Sequence, residues 1–236
     1  MRKIIYLVIL VVLFSGCAIG PTYIVGVDSI NDGEKTIDGK KCIVFSGMEN
    51  TPKEDLQFKE YERYITKTLT NKGYAVTDNP DDAEIEIFLS YGIGDPKTHT
   101  FTYSVPILGQ TGISSAQTFG SVQGFGNSAT YSGTTTYTPS YGVVGTRTGV
   151  REETTYTRYI RLDAYDLVIY RESKKEKHLW KTDIISTGSS GDLRRVFPIM
   201  VAAAAPYVGE NTQSMKEIEL GGNDKRVLQI FQALLK

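Results

Sequence analysis

Glu84-Ile85-Glu86-Ile87-Phe88-Leu89-Ser90-Tyr91 places its apolar residues on alternate positions. Side chains of a β-strand point to opposite faces in turn, so Ile85, Ile87, Leu89 and Tyr91 share one face while Glu86 and Ser90 take the other. Strands of an all-parallel sheet are covered on both sides and read as continuous apolar runs. A strand with one polar side therefore predicts a sheet with one buried face, built largely from antiparallel pairs. A second stretch repeats the signal within Thr155 to Tyr170. There Tyr156, Ile160, Leu162, Ala164 and Val168 alternate with Tyr159, Arg161, Asp163 and Tyr165. After a charged turn, Arg171 to Lys177, the run His178 to Ser186 returns with Trp180 and Ile184 on the inner side, which predicts an antiparallel hairpin.

The elements around these strands follow from the same reasoning. Thr22 to Ile30 and Lys40 to Ser46 read as strands, with the turn signal Asn31-Asp32-Gly33-Glu34 between them. Glu54 to Lys72 carries Phe58, Tyr61, Ile65 and Leu69 at spacings of three and four, one face of an amphipathic helix, between Thr51-Pro52 and Gly73. Tyr74-Ala75-Val76 opens a short strand, and Asp78-Asn79-Pro80-Asp81 turns into Glu84. Leu193, Val196, Phe197, Met200, Val201 and Ala204 form a second helical stripe that Pro206 ends. Ile218 and Leu220 read as an edge strand. Asn223 reads as the cap of a last helix with Val227, Leu228, Phe231, Leu234 and Leu235 inward. The fold class is α+β: a mixed, largely antiparallel sheet with about three helices mainly on one face.

Residues 92–150 form different material, a Gly/Thr/Tyr-rich insertion in that fold. Gly92 to Gly149 holds eleven of the 23 glycines and twelve threonines, yet its charged residues are only Asp95, Lys97 and Arg147. Disordered segments carry more charge and fewer aromatic residues. Phe101, Ile107, Ile113, Phe119, Phe125, Tyr131, Tyr137 and Val143 recur every six residues, with Ala129 and Tyr141 on the same parity. An even period keeps residues on one face of an extended chain, so the expectation is β-hairpins that lean one aromatic face on another surface. A hexapeptide β-solenoid is the sharper alternative, but the repeat is loose and would give fewer than three coils where repeat folds stack several units, so hairpins or a partly mobile loop are the expectation.

The beginning of the chain reads as a leader. Arg2 and Lys3 precede the eleven apolar residues Ile4 to Phe14, too few to span a bilayer, and Ser15-Gly16-Cys17 follows. Phe14-Ser15-Gly16-Cys17 resembles the lipobox of bacterial lipoproteins. The resemblance implies a signal peptide over residues 1–16, cleavage before Cys17, two acyl chains on its thiol and usually a third on the new amino terminus. A single chain anchors marginally and two or three anchor firmly. Ala18 is not the aspartate that resembles an inner-membrane retention signal, which implies the periplasmic face of an outer membrane. Further along, Ser46-Gly47-Met48, Glu54 to Tyr61, Lys72-Gly73-Tyr74 and Asn79 to Ala83 together resemble uncharacterised bacterial lipoproteins of unknown function. That likeness implies a compact mixed α/β domain behind a lipid anchor, here residues 17–236, and implies no activity.

Composition narrows the chemistry. Without residues 1–16 the 26 basic residues fall by two against 27 acidic ones, a net charge of about −3, which gives no footprint for nucleic acid and no polybasic patch for lipid. With Cys17 acylated, Cys42 has no intramolecular partner, so neither a disulfide scaffold nor a zinc cluster is expected. His99 and His178 are the two histidines and lie at no metal-ligand spacing, and no nucleophile-elbow pattern appears. Glu84 and Glu86 read as a solvated outer face rather than as an acid and base. One anion-binding candidate remains: Gly188, Ser189, Ser190 and Gly191 run into a helix start with Arg194 and Arg195 near, where amides and the helix dipole favour negative charge. Asp192 stands where the anion would sit, and the lysine of a phosphate loop is missing.

These readings lead to a noncatalytic envelope protein with no cofactor or metal, held to the membrane by its lipid and binding or scaffolding an unknown envelope partner. Phe119, Phe125, Tyr131, Tyr137 and Tyr141 are the expected interaction surface. The rival expectation is a membrane-active or assembly lipoprotein whose insertion enters the bilayer as β-hairpins of an oligomer, where alternation and scarce charge are required.

Overall fold

The computed structural model describes residues 21–33 and 39–231. Cys17, the leader, and Leu234 and Leu235 of the expected last helix lie outside the described residues. The chain runs β1 (Thr22–Asn31), β2 (Lys41–Ser46), α1 (Leu56–Asn71), β3 (Ala75–Val76), a 3-10 turn (Pro80–Asp82), β4 (Ile85–Ile93), β5 (Lys97–Phe125) and β6 (Ser128–Asp166). It continues through α2 (Leu167–Ser173), β7 (His178–Gly188), α3 (Leu193–Ala204), β8 (Lys216–Gly221) and α4 (Lys225–Phe231). The strands line up as β3-β2-β4-β6-β7-β1-β8, with β5 paired to β6. β2 runs parallel to both β3 and β4, and the pairs β4/β6, β6/β7, β7/β1 and β1/β8 are antiparallel. The fold is α+β with a mixed sheet, and strand dominates it.

The chain divides into two compact units. One holds the described residues up to Lys97 and from Thr155 onward, and the other is Thr98–Thr154. In the first unit, Ile85, Ile87, Leu89 and Tyr91 of β4 and Ile160, Leu162 and Ala164 of β6 are buried in one cluster with residues of α1, α3 and α4. Asp55 starts α1 by accepting the Phe58 amide at 2.8 Å. The helix ends where Gly73 takes φ +97, letting the Tyr74 amide reach the Leu69 carbonyl and the Gly73 amide the Thr70 carbonyl. Tyr61 of α1 stacks on Phe197 of α3 with ring centroids 3.9 Å apart, and Tyr91 meets Tyr61 edge-on at 4.7 Å. Trp180 is buried and donates its indole N–H to the Tyr74 hydroxyl at 2.8 Å.

Four α-helices, not about three, are present among the described residues. The additional one is α2, which interrupts the strand expected to continue to Tyr170. Asp166 accepts the Ile169 amide at 2.9 Å and so caps a helix where Val168, in step with Ile160, Leu162 and Ala164, suggested extended chain. Leu167 then joins Ile43, Ala83 and Phe45 in a small apolar cluster separate from the main core. At the last helix the cap is Asp224 rather than Asn223: its carboxylate accepts the Arg226 amide and its carbonyl the Leu228 amide. The inward residues there are Val227 and Ile230, while Leu228 and Phe231 are exposed.

Candidate functional site

The unit Thr98–Thr154 is built from the long parts of β5 and β6, a two-stranded ribbon. β5 has 29 residues and β6 has 39, against roughly 3–10 for an ordinary strand. The strands join through Gly126-Asn127. Gly126 takes φ +61 and Asn127 keeps a negative φ, the pattern of a two-residue II′ hairpin turn, which glycine enters without strain. Cross-strand hydroxyl pairs hold the ribbon, among them Thr118 with Thr135 at 2.8 Å and Thr111 with Ser140 at 3.2 Å. Rings fill the space that glycines leave: a Cβ at Gly120 or Gly133 would collide with the Tyr131 ring, and one at Gly149 with Tyr103. The abundance of both glycine and aromatic residues in this segment thus has a packing cause on the ribbon itself.

The expectation of one aromatic face is corrected. A two-residue loop makes an odd-numbered residue of β5 pair with an even-numbered residue of β6. Consistent with this, Thr118 meets Thr135, Gly120 meets Tyr131, Thr111 meets Gly142 and Gly109 meets Val144. Tyr131, Tyr137 and Tyr141 therefore share a face with Thr118 and Gly120, while Phe119 and Phe125 stand on the opposite one. All five are exposed, Phe125 at 87% and Tyr141 at 73%. The six-residue period is real in the sequence and is divided between two faces by the turn.

The loop expected to hold an anion is already occupied by protein groups. Ser190 Oγ accepts the Asp192 amide at 3.2 Å, Asp192 accepts the Arg195 amide at 3.2 Å, and Arg194 pairs with Glu60 at 2.9 Å. Arg195 is exposed. The residue that sequence reasoning missed is Arg158, 1% exposed. Its guanidinium donates to the Ser190 carbonyl at 3.0 Å, the Ser186 carbonyl at 3.3 Å and Ser186 Oγ at 3.3 Å. Burial pulls its pKa below the usual arginine value. Its even number on β6, the parity of Ile160 and Leu162, was the available signal that it points inward. Arg158 fastens the loop to β6, and the Ser190 carbonyl, Ser190 Oγ and the Arg194 guanidinium of the expected anion loop are each engaged by protein groups.

On the first unit, a cleft of about 680 Å³ lies beside Ser46, Gly47, Glu49, Glu86, Phe88 and Asp163. Burial, with Glu176 adding to it, raises the Glu86 pKa. Glu84 accepts the Lys41 amide at 3.0 Å. Cys42 is fully buried, and burial pushes its thiol up to about 12, far from the range of a reactive thiolate.

A scan of protein-family models gives no match to the chain, and a search of curated proteins gives none. Among solved structures the chain is similar to one described as a PDZ domain protein from Parabacteroides distasonis ATCC 8503, at 9% identity and a TM-score of 0.39. The likeness covers 85% of this chain and 39% of that one.

Proposed function

We propose that the chain is a noncatalytic, lipid-anchored protein of the cell envelope whose working part is the ribbon Thr98–Thr154, through which it joins other protein chains. One observation carries the reading: the 49 residues between Lys97 and Arg147 contain no Asp, Glu, Lys or Arg, and they form a ribbon with its aromatic side chains exposed. A lone two-stranded ribbon is marginally stable in water. Unpaired strand edges are templates for another chain, and exposed apolar surface of this extent marks an interaction site. The lipobox-like sequence ending at Cys17 supplies the address, the periplasmic face of an outer membrane.

The test is excision. Thr98–Thr154 is replaced by a short Gly-Ser turn in the lipidated protein, and chemical cross-linking in intact cells is compared with wild type. Trp180, the single tryptophan, reports the first unit independently of the ribbon. The expected result is unchanged cooperative unfolding by Trp180 fluorescence and loss of the cross-linked products. The same products from the shortened protein would remove the ribbon from the account.

A further inference from the structure

We infer that the ribbon's partner is a further copy of the same ribbon, and that several copies close edge to edge into a β-barrel through the bilayer holding the lipid anchor. This rests on the reading of Thr98–Thr154 as the association element and names its partner and surroundings.

The first observation concerns the edges. The ribbon has two, one on β5 and one on β6, and the strands are antiparallel. Placing the β5 edge of one copy against the β6 edge of the next keeps every neighbour antiparallel, a head-to-tail arrangement that closes into a ring of even strand number. Natural edges are blunted with lysine, proline or bulges. Lysine is absent between Thr98 and Thr154, and the prolines are Pro106 on β5 and Pro139 on β6. Each removes one donor from the strand that carries it.

The faces give the second observation. From Ser128 to Ser140, every even position of β6 is serine or threonine, while the odd positions are Ala129, Tyr131, Gly133, Thr135, Tyr137 and Pro139, with Tyr141 next. β5 adds Gln117 and Gln123 to the hydroxyl face and Ala116 and Val122 to the tyrosine face. Barrels in membranes alternate in this way, apolar toward lipid and polar toward the lumen, with aromatic residues at the interfaces. The hydroxyl face also holds Ile113, Phe119 and Phe125, so it is mixed, whereas the tyrosine face, from the hairpin turn back to the level where Ala116 faces Tyr137, carries no formal charge and no amide side chain and holds one hydroxyl pair, Thr118 with Thr135. The uncharged length far exceeds the roughly 9–11 residues a barrel strand needs.

Topology supplies the third. Val25 pairs with Ser186, Ser186 with Arg158, and Arg158 with Ile93. The start of β1, the end of β4 and the entry of β6 into the sheet therefore lie at one end of the first unit. Thr22 follows Cys17 by five residues, a link that reaches at most about 18 Å. With Cys17 acylated, the end from which the ribbon strands leave the first unit is the end held near the bilayer.

The experiment uses the full lipidated protein in vesicles of phosphatidylethanolamine and phosphatidylglycerol loaded with a self-quenched dye. Wild type should release dye, and Tyr137→Arg, on the lipid-facing side, should lower the rate at least tenfold. Thr136→Arg, on the lumen side, should keep release within about threefold and shift preference toward anionic dyes, because lumen substitutions tune selectivity. Trp180 fluorescence confirms that each variant retains the first unit. Absence of release by wild type, or equal loss from both substitutions, overturns the barrel. If wild type releases no dye while its cross-linked multimers persist, association through the ribbon stands and only the membrane barrel fails. If multimers are absent as well, both fail.

Discussion

Arg158 and Glu86 show how a strand's parity can seat a charge, and at what cost. Arg158 lies on the inner parity of β6 and meets carbonyl oxygens instead of a carboxylate, so its charge is spread over backbone dipoles presented by Ser186 of β7 and by Ser190 in the loop before α3. Glu86 lies on the outer parity of β4, yet the cleft around it still withdraws water, and burial raises its pKa. Its folded pKa lies above the unfolded value, so the folded state holds more protons between the two, and stability rises as pH falls through that window. Glu86→Gln should therefore stabilise the protein at pH 7, with the gain vanishing below the unfolded glutamate value of about 4.3. Urea unfolding followed by Trp180 at pH 7 and pH 4 checks this; an equal effect at both values would assign the change to packing. Parity was legible for both residues, but the cleft was not, because it depends on Ser46 and Gly47 at the end of β2 and Asp163 on β6 coming together with Glu86 on β4.

At the scale of elements, the amphipathic helices were legible because their cause is local. Leu69 is fully buried on α1, and Leu69→Ala should cost about 2–5 kcal/mol by loss of transfer energy and creation of a cavity. Denaturant unfolding measures it, and a loss under about 0.5 kcal/mol would place that face outside the core. The short α2 was not legible: Leu167, Val168 and Ile169 have strand-like character, and the winning term is the Asp166 cap. The ribbon was legible as a hairpin but not in its faces. Phe119 and Tyr131 have the same parity in the sequence, and a turn of two residues is what separates them. One more residue in that turn would have placed them together.

For the whole molecule, the antiparallel core followed from Ile85, Ile87, Leu89, Ile160 and Leu162, whereas the order of the strands came from pairings distant in sequence, such as Val25 with Ser186. The same pairings bring the β1 start and the two ribbon-bearing strands to one end of the sheet, and the account's central claim, a closed ring of ribbons, draws on that. The most direct measurement is the mass of the lipidated protein extracted from membranes in mild detergent, by mass photometry alongside the variant lacking Thr98–Thr154. A closed ring predicts one discrete species of many protomers for wild type and the single-protomer mass for the variant. Wild type at the single-protomer mass, or spread over an open-ended ladder with no preferred species, would contradict it.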